Sequence, residues 1–217
     1  MGLVRHEASV LLLQGENLFP YLDGLSTNHV AGPCTTVFTN RAAKIIDVCD
    51  VIPVGNHVAL VGHASNKANL VAHLTGRILG QAISITDISE LNDVFIDLGD
   101  ADPPPDATVH ASFFGRLLVV PIKHNMQSTL TLMQWNEHRI NHQIPYHGFE
   151  ITNARHPLAC GLSDLVHPQK GCYIGQEVIT RMRSRGKQGH RLIVQPNPAE
   201  NVTTPGKERS LCIVRTQ

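Results

Sequence analysis

The stretch Lys170-Gly171-Cys172-Tyr173-Ile174-Gly175-Gln176-Glu177 sets a thiol between two glycines, beside an amide and a carboxylate. Glycine lets backbone approach its neighbours closely and take φ > 0. The string therefore reads as a tight turn built around Cys172. A cation or a helix N-terminus nearby would make that thiol more thiolate-like. The plainer alternative is a small cysteine packed inside a turn. Arg181, Arg183, Arg185, Lys187 and Arg191 follow with no acid among them. Alternate spacing from 181 to 187 would put these residues on one side of a strand. Such a run is either a solvated face or a surface for an anion.

Outward from this stretch, composition narrows the class. The chain has 217 residues, 42% of them hydrophobic and 17% charged, enough apolar material for a real core. Formal net charge is zero, so no global field draws it to nucleic acid or to a membrane. Cys34, Cys49, Cys160, Cys172 and Cys212 are odd in number and form no CxxC pair. Free thiols in a reducing compartment fit that pattern better than a disulfide framework or a zinc ribbon. No signal peptide and no span of roughly 20 apolar residues is visible. The expected location is cytoplasmic, or the mitochondrial matrix in a eukaryote.

Periodicity suggests alternating strands and helices. Ser9 to Leu13 reads as a buried strand, and Leu18, Phe19, Leu22 and Leu25 as a helix with Pro20 in its first turn. Val37-Phe38 and Ile45-Ile46 read as strands, and Val51 to Val61 as a hairpin around Gly55-Asn56. Ser65 is expected to cap a helix that Gly80 ends. Ile83, Ile85 and Ile88 read as strand and turn, and Val94 to Leu98 as a further strand. Pro103-Pro104-Pro105 form a stiff linker, taken as a boundary. Beyond it lie a hairpin through Gly115-Arg116, a helix capped by Ser128 that runs to about His142, and two short C-terminal strands. The expected units are 1–101, 106–190 and 191–217, in an α+β architecture.

The 170–177 stretch also resembles the signature of the YgfZ-type folate-binding proteins, relatives of the aminomethyltransferase (T protein) of the glycine cleavage system. Phe19 to Val30 resembles that family's first-helix segment, which ends in Thr-Asn-Asp-Val or close variants. Ile45-Ile46-Asp47 resembles the strand where aminomethyltransferases carry adjacent aspartates. Arg139-Ile140 through Pro145 resembles the helix end before the signature. The likeness covers most of residues 1 to 194.

The resemblance implies an aminomethyltransferase/YgfZ-like folate-binding fold, with subdomains around a central channel. About 26 residues follow Arg191, so the C-terminal β-barrel segment would be shortened. The implied cofactor is tetrahydrofolate or a derivative. The implied role is accessory, in assembly or repair of iron–sulfur proteins, with an indirect effect on tRNA thiolation. Partners would be folate and iron–sulfur proteins or their assembly machinery, with no direct nucleic acid and no membrane.

Carried over residue by residue, the key thiol is Cys172, framed by Lys170, Gly171, Tyr173, Gly175, Gln176, Glu177 and Arg181. The implied folate contacts are Asn28, Asp47, Trp135, Arg139, Asn141, Tyr173 and Arg185. Trp135 lies ten residues before Pro145, as does a folate-contacting tryptophan in some relatives, and an indole face can stack on a pterin. In the family's Arg-x-Glu-x-Gly pattern Arg139 is kept, but Asn141 replaces the Glu and Gln143 the Gly. An amide cannot form the charge-assisted pair of a carboxylate.

An alternative is a tetrahydrofolate-dependent, aminomethyltransferase-like one-carbon transferase. That chemistry wants an acidic group by the reacting nitrogen. Asp47 remains for it, with Val48 beside it and Asp50 on the opposite face of a regular strand. Whether the chain turns anything over stays open at this point. His138 and His142 share a helix face and His147 follows, but there is no HExxH, and solvated or satisfied histidines are the reading preferred over a metal.

Overall fold

The computed structural model describes residues 2–99, 101–186 and 188–216, so the Lys187 of the basic run lies outside the described residues. The chain opens with β1 (Leu3–His6), β2 (Ala8–Gly15) and α1 (Leu18–Asp23). β3 (Cys34–Thr39), β4 (Ile45–Val54), β5 (His57–His63) and α2 (Lys67–Thr75) follow. Then come β6 (Ile83–Asp87), β7 (Asn92–Asp97), β8 (Thr108–Ser112), β9 (Gly115–Pro121) and α3 (Leu132–His142). An irregular stretch leads to α4 (Gln176–Ser184), β10 (His190–Pro196), β11 (Val202–Thr204) and β12 (Arg209–Arg215).

The strands make three antiparallel sheets. Five strands run in the order β3-β4-β5-β2-β6, four in the order β1-β7-β9-β8, and three in the order β10-β12-β11. The five-stranded sheet is buried on both faces. Val58 and Leu60 of β5 face α1 and α2 through Leu22, Leu70 and Leu74. Ala59 and Val61 face the second sheet through Val94, Ile96 and Leu117. Burial on both sides explains why Val58 to Val61 is apolar without alternation. Val58, Leu60 and Val61 each contribute about 1.5–3 kcal/mol by leaving water. The triple-proline run joins β7 to β8, and β7 pairs with β9, so the expected units 1–101 and 106–190 share one sheet.

Several boundaries differ from the sequence reading for local reasons. Thr131, not Ser128, caps α3, in a capping box with Gln134. Ser128 Oγ instead accepts the Arg5 N–H at 2.7 Å. The helix expected from Ser65 begins at Lys67 after a short tight turn, and its C-cap is Gly76, not Gly80. The β8–β9 turn holds Phe113-Phe114, because Phe114 is buried in the core, and Gly115 starts β9 at φ 130°.

The largest change concerns 176–184, where the alternate-spacing strand is a helix. Ile179 is its buried residue, packed with Val178 and Met182 against Leu158, Val166 and Tyr173. In a helix Arg181 and Arg185 share a face, whereas Arg183 points elsewhere.

Candidate functional site

The 170–177 segment is fixed to the five-stranded sheet. Lys170 Nζ donates to the carbonyls of Asp23 (2.5 Å), Ser26 (2.9 Å) and Asn28 (2.7 Å). It also meets the Asp23 carboxylate at 3.0 Å, and the Lys170 side chain has 0% exposure. Burial is the main cause lowering the Lys170 pKa, and the Asp23 carboxylate acts against it. The same ammonium lies 5.4 Å from the centre of the Tyr173 ring. Thr39 Oγ1 donates to the Ile174 carbonyl at 2.6 Å.

Gly175 sits at φ 87°, and a Cβ there would fall 2.7 Å from the Asn40 carbonyl oxygen. Only glycine suits that position. Gly171 is different, since a Cβ there meets open space. Held this way, Cys172 is exposed, whereas Cys49, Cys160 and Cys212 are buried and Cys34 is half-buried. Glu177 pairs with Arg181 at 2.9 Å on the outer face of α4. Gln176 Nε2 lies 3.4 Å from the Gly171 carbonyl.

Asp47 lies deeper, on β4, with 0% exposure. Its Oδ1 accepts from Val48 N (3.0 Å) and Asn66 Nδ2 (2.8 Å), and its Oδ2 from His63 N (3.0 Å). Burial pushes its pKa up to about 7, and these hydrogen bonds pull the other way. Gly62 makes room for the carboxylate, because a Cβ there would collide with Asp47 Oδ2. Asp50 has a separate partner set: Thr35 Oγ1 at 2.5 Å, Ser112 Oγ at 2.8 Å and His110 Nε2 at 3.3 Å.

Around Asp47 gather His6, His63 and Tyr146, which the sequence reading did not place in the site, and His147, which it named only in the metal reading it set aside. His147 Nδ1 stands 3.6 Å from Asp47 Oδ1. The His147 ring stacks on His63, with centroids 4.6 Å apart. His6 Nδ1 meets the Tyr146 hydroxyl at 2.5 Å. Burial first, and neighbouring imidazoles second, push His6 down to about 3 and His147 well below the ordinary histidine value. Burial lowers the His63 value as well, so the neutral form is favoured at all three imidazoles. They come from the end of β1, the end of β5 and the loop after α3, so no local spacing announces them. Among the described residues, no group of three or more His, Cys, Asp or Glu is placed to hold a metal ion.

The remaining expected folate contacts divide into separate places. Trp135 is 1% exposed, stacked on His138 and edge-on to Tyr146. Arg139 is fully buried and donates to Glu150 Oε2 at 2.9 Å. Asn141 does not join it: it is exposed and accepts from Arg209 at 2.7 Å. Glu150, which the sequence reading passed over, is the carboxylate this arginine uses. Asn28 and Tyr173 lie at the Lys170 anchor, and Arg185 is exposed past the end of α4. Asp47 and Trp135 are bridged by Tyr146 and His147.

The architecture has a solved counterpart. It matches the crystal structure of the glycine cleavage system aminomethyltransferase T from Bartonella henselae with a TM-score of 0.80 and 14% identity. The match covers 98% of this chain and 78% of that one. The chain thus has a mixed, sheet-rich α+β fold like that of this aminomethyltransferase. No family model matches the sequence, and no curated protein matches it. No described helix is long and apolar enough to cross a membrane.

Proposed function

We propose that this chain is a tetrahydrofolate-binding accessory protein of the YgfZ type, serving the assembly or repair of iron–sulfur proteins. An indirect effect on tRNA thiolation follows from that role. The observation that carries the reading is Cys172, the exposed cysteine, on a turn that Lys170 pins in place. A thiol at the surface can meet a client's cluster, which a buried thiol cannot. Folate enters through the likeness to an aminomethyltransferase.

Trp135 and Arg139 are buried, so folate in this reading reaches them by opening the layer that covers them. Binding is then linked to a conformational change. The test is calorimetric titration with tetrahydrofolate, alongside reactivation of a damaged iron–sulfur enzyme. Saturable binding that quenches Trp135, with reactivation lost in Cys172→Ala while binding persists, is the expected result. Absence of folate binding removes the cofactor from the reading, and full reactivation by Cys172→Ala removes the thiol.

A second reading, a one-carbon transferase, rests on Asp47. A carboxyl held near 7 can hold or move a proton at physiological pH. Tetrahydrofolate-dependent turnover that is lost in Asp47→Asn and kept in Cys172→Ala would select it.

A further inference from the structure

We propose that the cleft between the loop at 154–160 and strand β10 binds a phosphate-class anion, either inorganic phosphate or a small phosphomonoester. This site is independent of the folate reading. The cleft measures about 370 Å³ and is lined by Lys44, Arg155, His156 and His190, over Ala159 and Ile213. That volume falls in the roughly 300–1,000 Å³ range of small-molecule sites. No aspartate or glutamate lines it.

The polar side chains that line it come from separate parts of the chain. Lys44 precedes β4, Arg155 lies in the loop, and His190 begins β10. Arg215 is the register partner of His190 across the β10–β12 pair and shares a strand face with Ile213, adding charge at the rim. In a chain with equal numbers of acids and bases, this is a local concentration of one sign.

The donors are pre-set. Lys44 Nζ is tethered to the Ala154 carbonyl at 2.7 Å, which leaves two of its N–H groups for a ligand. Arg155 Nη1 holds the carbonyls of Phe149 (2.8 Å) and Glu150 (3.0 Å). Its Nε and Nη2 remain as a planar fork suited to two oxygens of one anion.

His156 plays a different part. Its Nδ1 accepts from Ala159 N at 3.3 Å and its Nε2 donates to the Gln188 carbonyl at 3.1 Å, so both ring nitrogens are occupied. Burial lowers its pKa, the Gln188 carbonyl opposes this, and Lys44 and His190 lower it further. It stands as a neutral wall that holds the loop. Lys44, Arg155 and Arg215 bring more positive charge than one carboxylate balances, and a phosphate dianion with three outward oxygens suits them. Ile213 and Ala159 give an ester carbon an apolar floor.

The experiment is calorimetric titration of the full chain with inorganic phosphate and, separately, glycerol phosphate, with sodium chloride holding ionic strength constant. One saturable site of roughly millimolar affinity or tighter is expected. His190→Gln and Arg215→Gln, whose side chains make no hydrogen bond among the described residues, should each weaken it about tenfold. Lys123→Gln, which removes a distant surface charge, should not. Tighter binding of glycerol phosphate assigns the site to an ester, and tighter binding of inorganic phosphate to the free ion. A response no different from chloride overturns the proposal. So does binding that His190→Gln and Arg215→Gln leave intact, or that Lys123→Gln weakens equally.

Discussion

Arg139 and Glu150 form an ion pair of 2.9 Å in which both side chains are completely buried. Neither is left with a bare charge. Glu150 also accepts from Tyr146 N (3.0 Å) and Thr204 Oγ1 (2.7 Å), and Arg139 donates to Asn136 and Thr204 at 2.8 Å each. The pair therefore ties α3, the loop after it and β11 into one unit. Removing one member strands the other charge in the interior. Arg139→Met and Glu150→Leu are each expected to lose about 3–5 kcal/mol in urea unfolding. A double variant, Arg139→Met with Glu150→Leu, should recover much of that loss, because no unpaired charge then remains. Additive losses in the double variant would contradict the pairing.

The buried titratable groups predict an unusual pH profile with two opposing slopes. His6, His63, His73 and His147 all have lowered values, His6 to about 3 and His73 to about 4, with burial the leading cause in each. The unfolded chain takes up these protons first, so stability falls as pH drops below about 6.5. Asp47 works the other way. Its folded value near 7 lies above the unfolded value of about 4. Its contribution is full below about pH 4 and lost as pH rises toward 7. Histidines outnumber the aspartate, so net stability should decline on acidification from pH 6.5 to 4.5. Asp47→Asn removes the opposing slope. Its stability should fall more steeply over that window, by up to roughly 1.4 kcal/mol per pH unit. Unfolding measured at several pH values would read this directly, and parallel profiles would rule it out.

Much of the frame is readable in the sequence, and the reasons it fails elsewhere are physical. The β4–β5 hairpin is legible because Gly55-Asn56 is a strong turn signal between apolar runs. The turn at Gly175 is legible because its positive φ leaves little choice but glycine. The helix at 176–184 is not, because Arg181, Arg183 and Arg185 also fit a period of two, and Ile179 alone carries its buried side. The Asp47 surroundings are not either. His6, His63 and His147 meet only after β1, β5 and the loop after α3 pack together, and a lone histidine looks the same in sequence wherever it ends up.

Lys170 is expected to matter for folding as well as for the exposed thiol. Its ammonium satisfies the carbonyls of Asp23, Ser26 and Asn28, which would otherwise lose their partner. Lys170→Met keeps the stem and removes the donors. An unsatisfied buried acceptor costs about 1–3 kcal/mol, so the variant should lose at least that much in denaturant unfolding. Hydrogen exchange should also quicken for amides of residues 171–175, because the turn loses its anchor. Unchanged exchange there would show that Thr39 and Gly175 hold the turn without the lysine.

The cysteines give the most direct check on how the turn is presented. Cys172 is exposed; Cys49, Cys160 and Cys212 are buried, and burial pushes the half-buried Cys34 thiol up to about 11. Alkylation needs a thiolate that solvent can reach. In the native protein at pH 7.5, iodoacetamide should modify Cys172 first, with the other four at least about tenfold slower by the population of their thiolates and their access. In urea all five should react at comparable rates. Cys172→Ser should abolish the fast phase and leave the slow ones unchanged, as followed by peptide mass spectrometry. A fast phase that survives in Cys172→Ser would mean that another cysteine is the accessible thiol, and the surface-thiol reading of the 170–177 segment would fall with it.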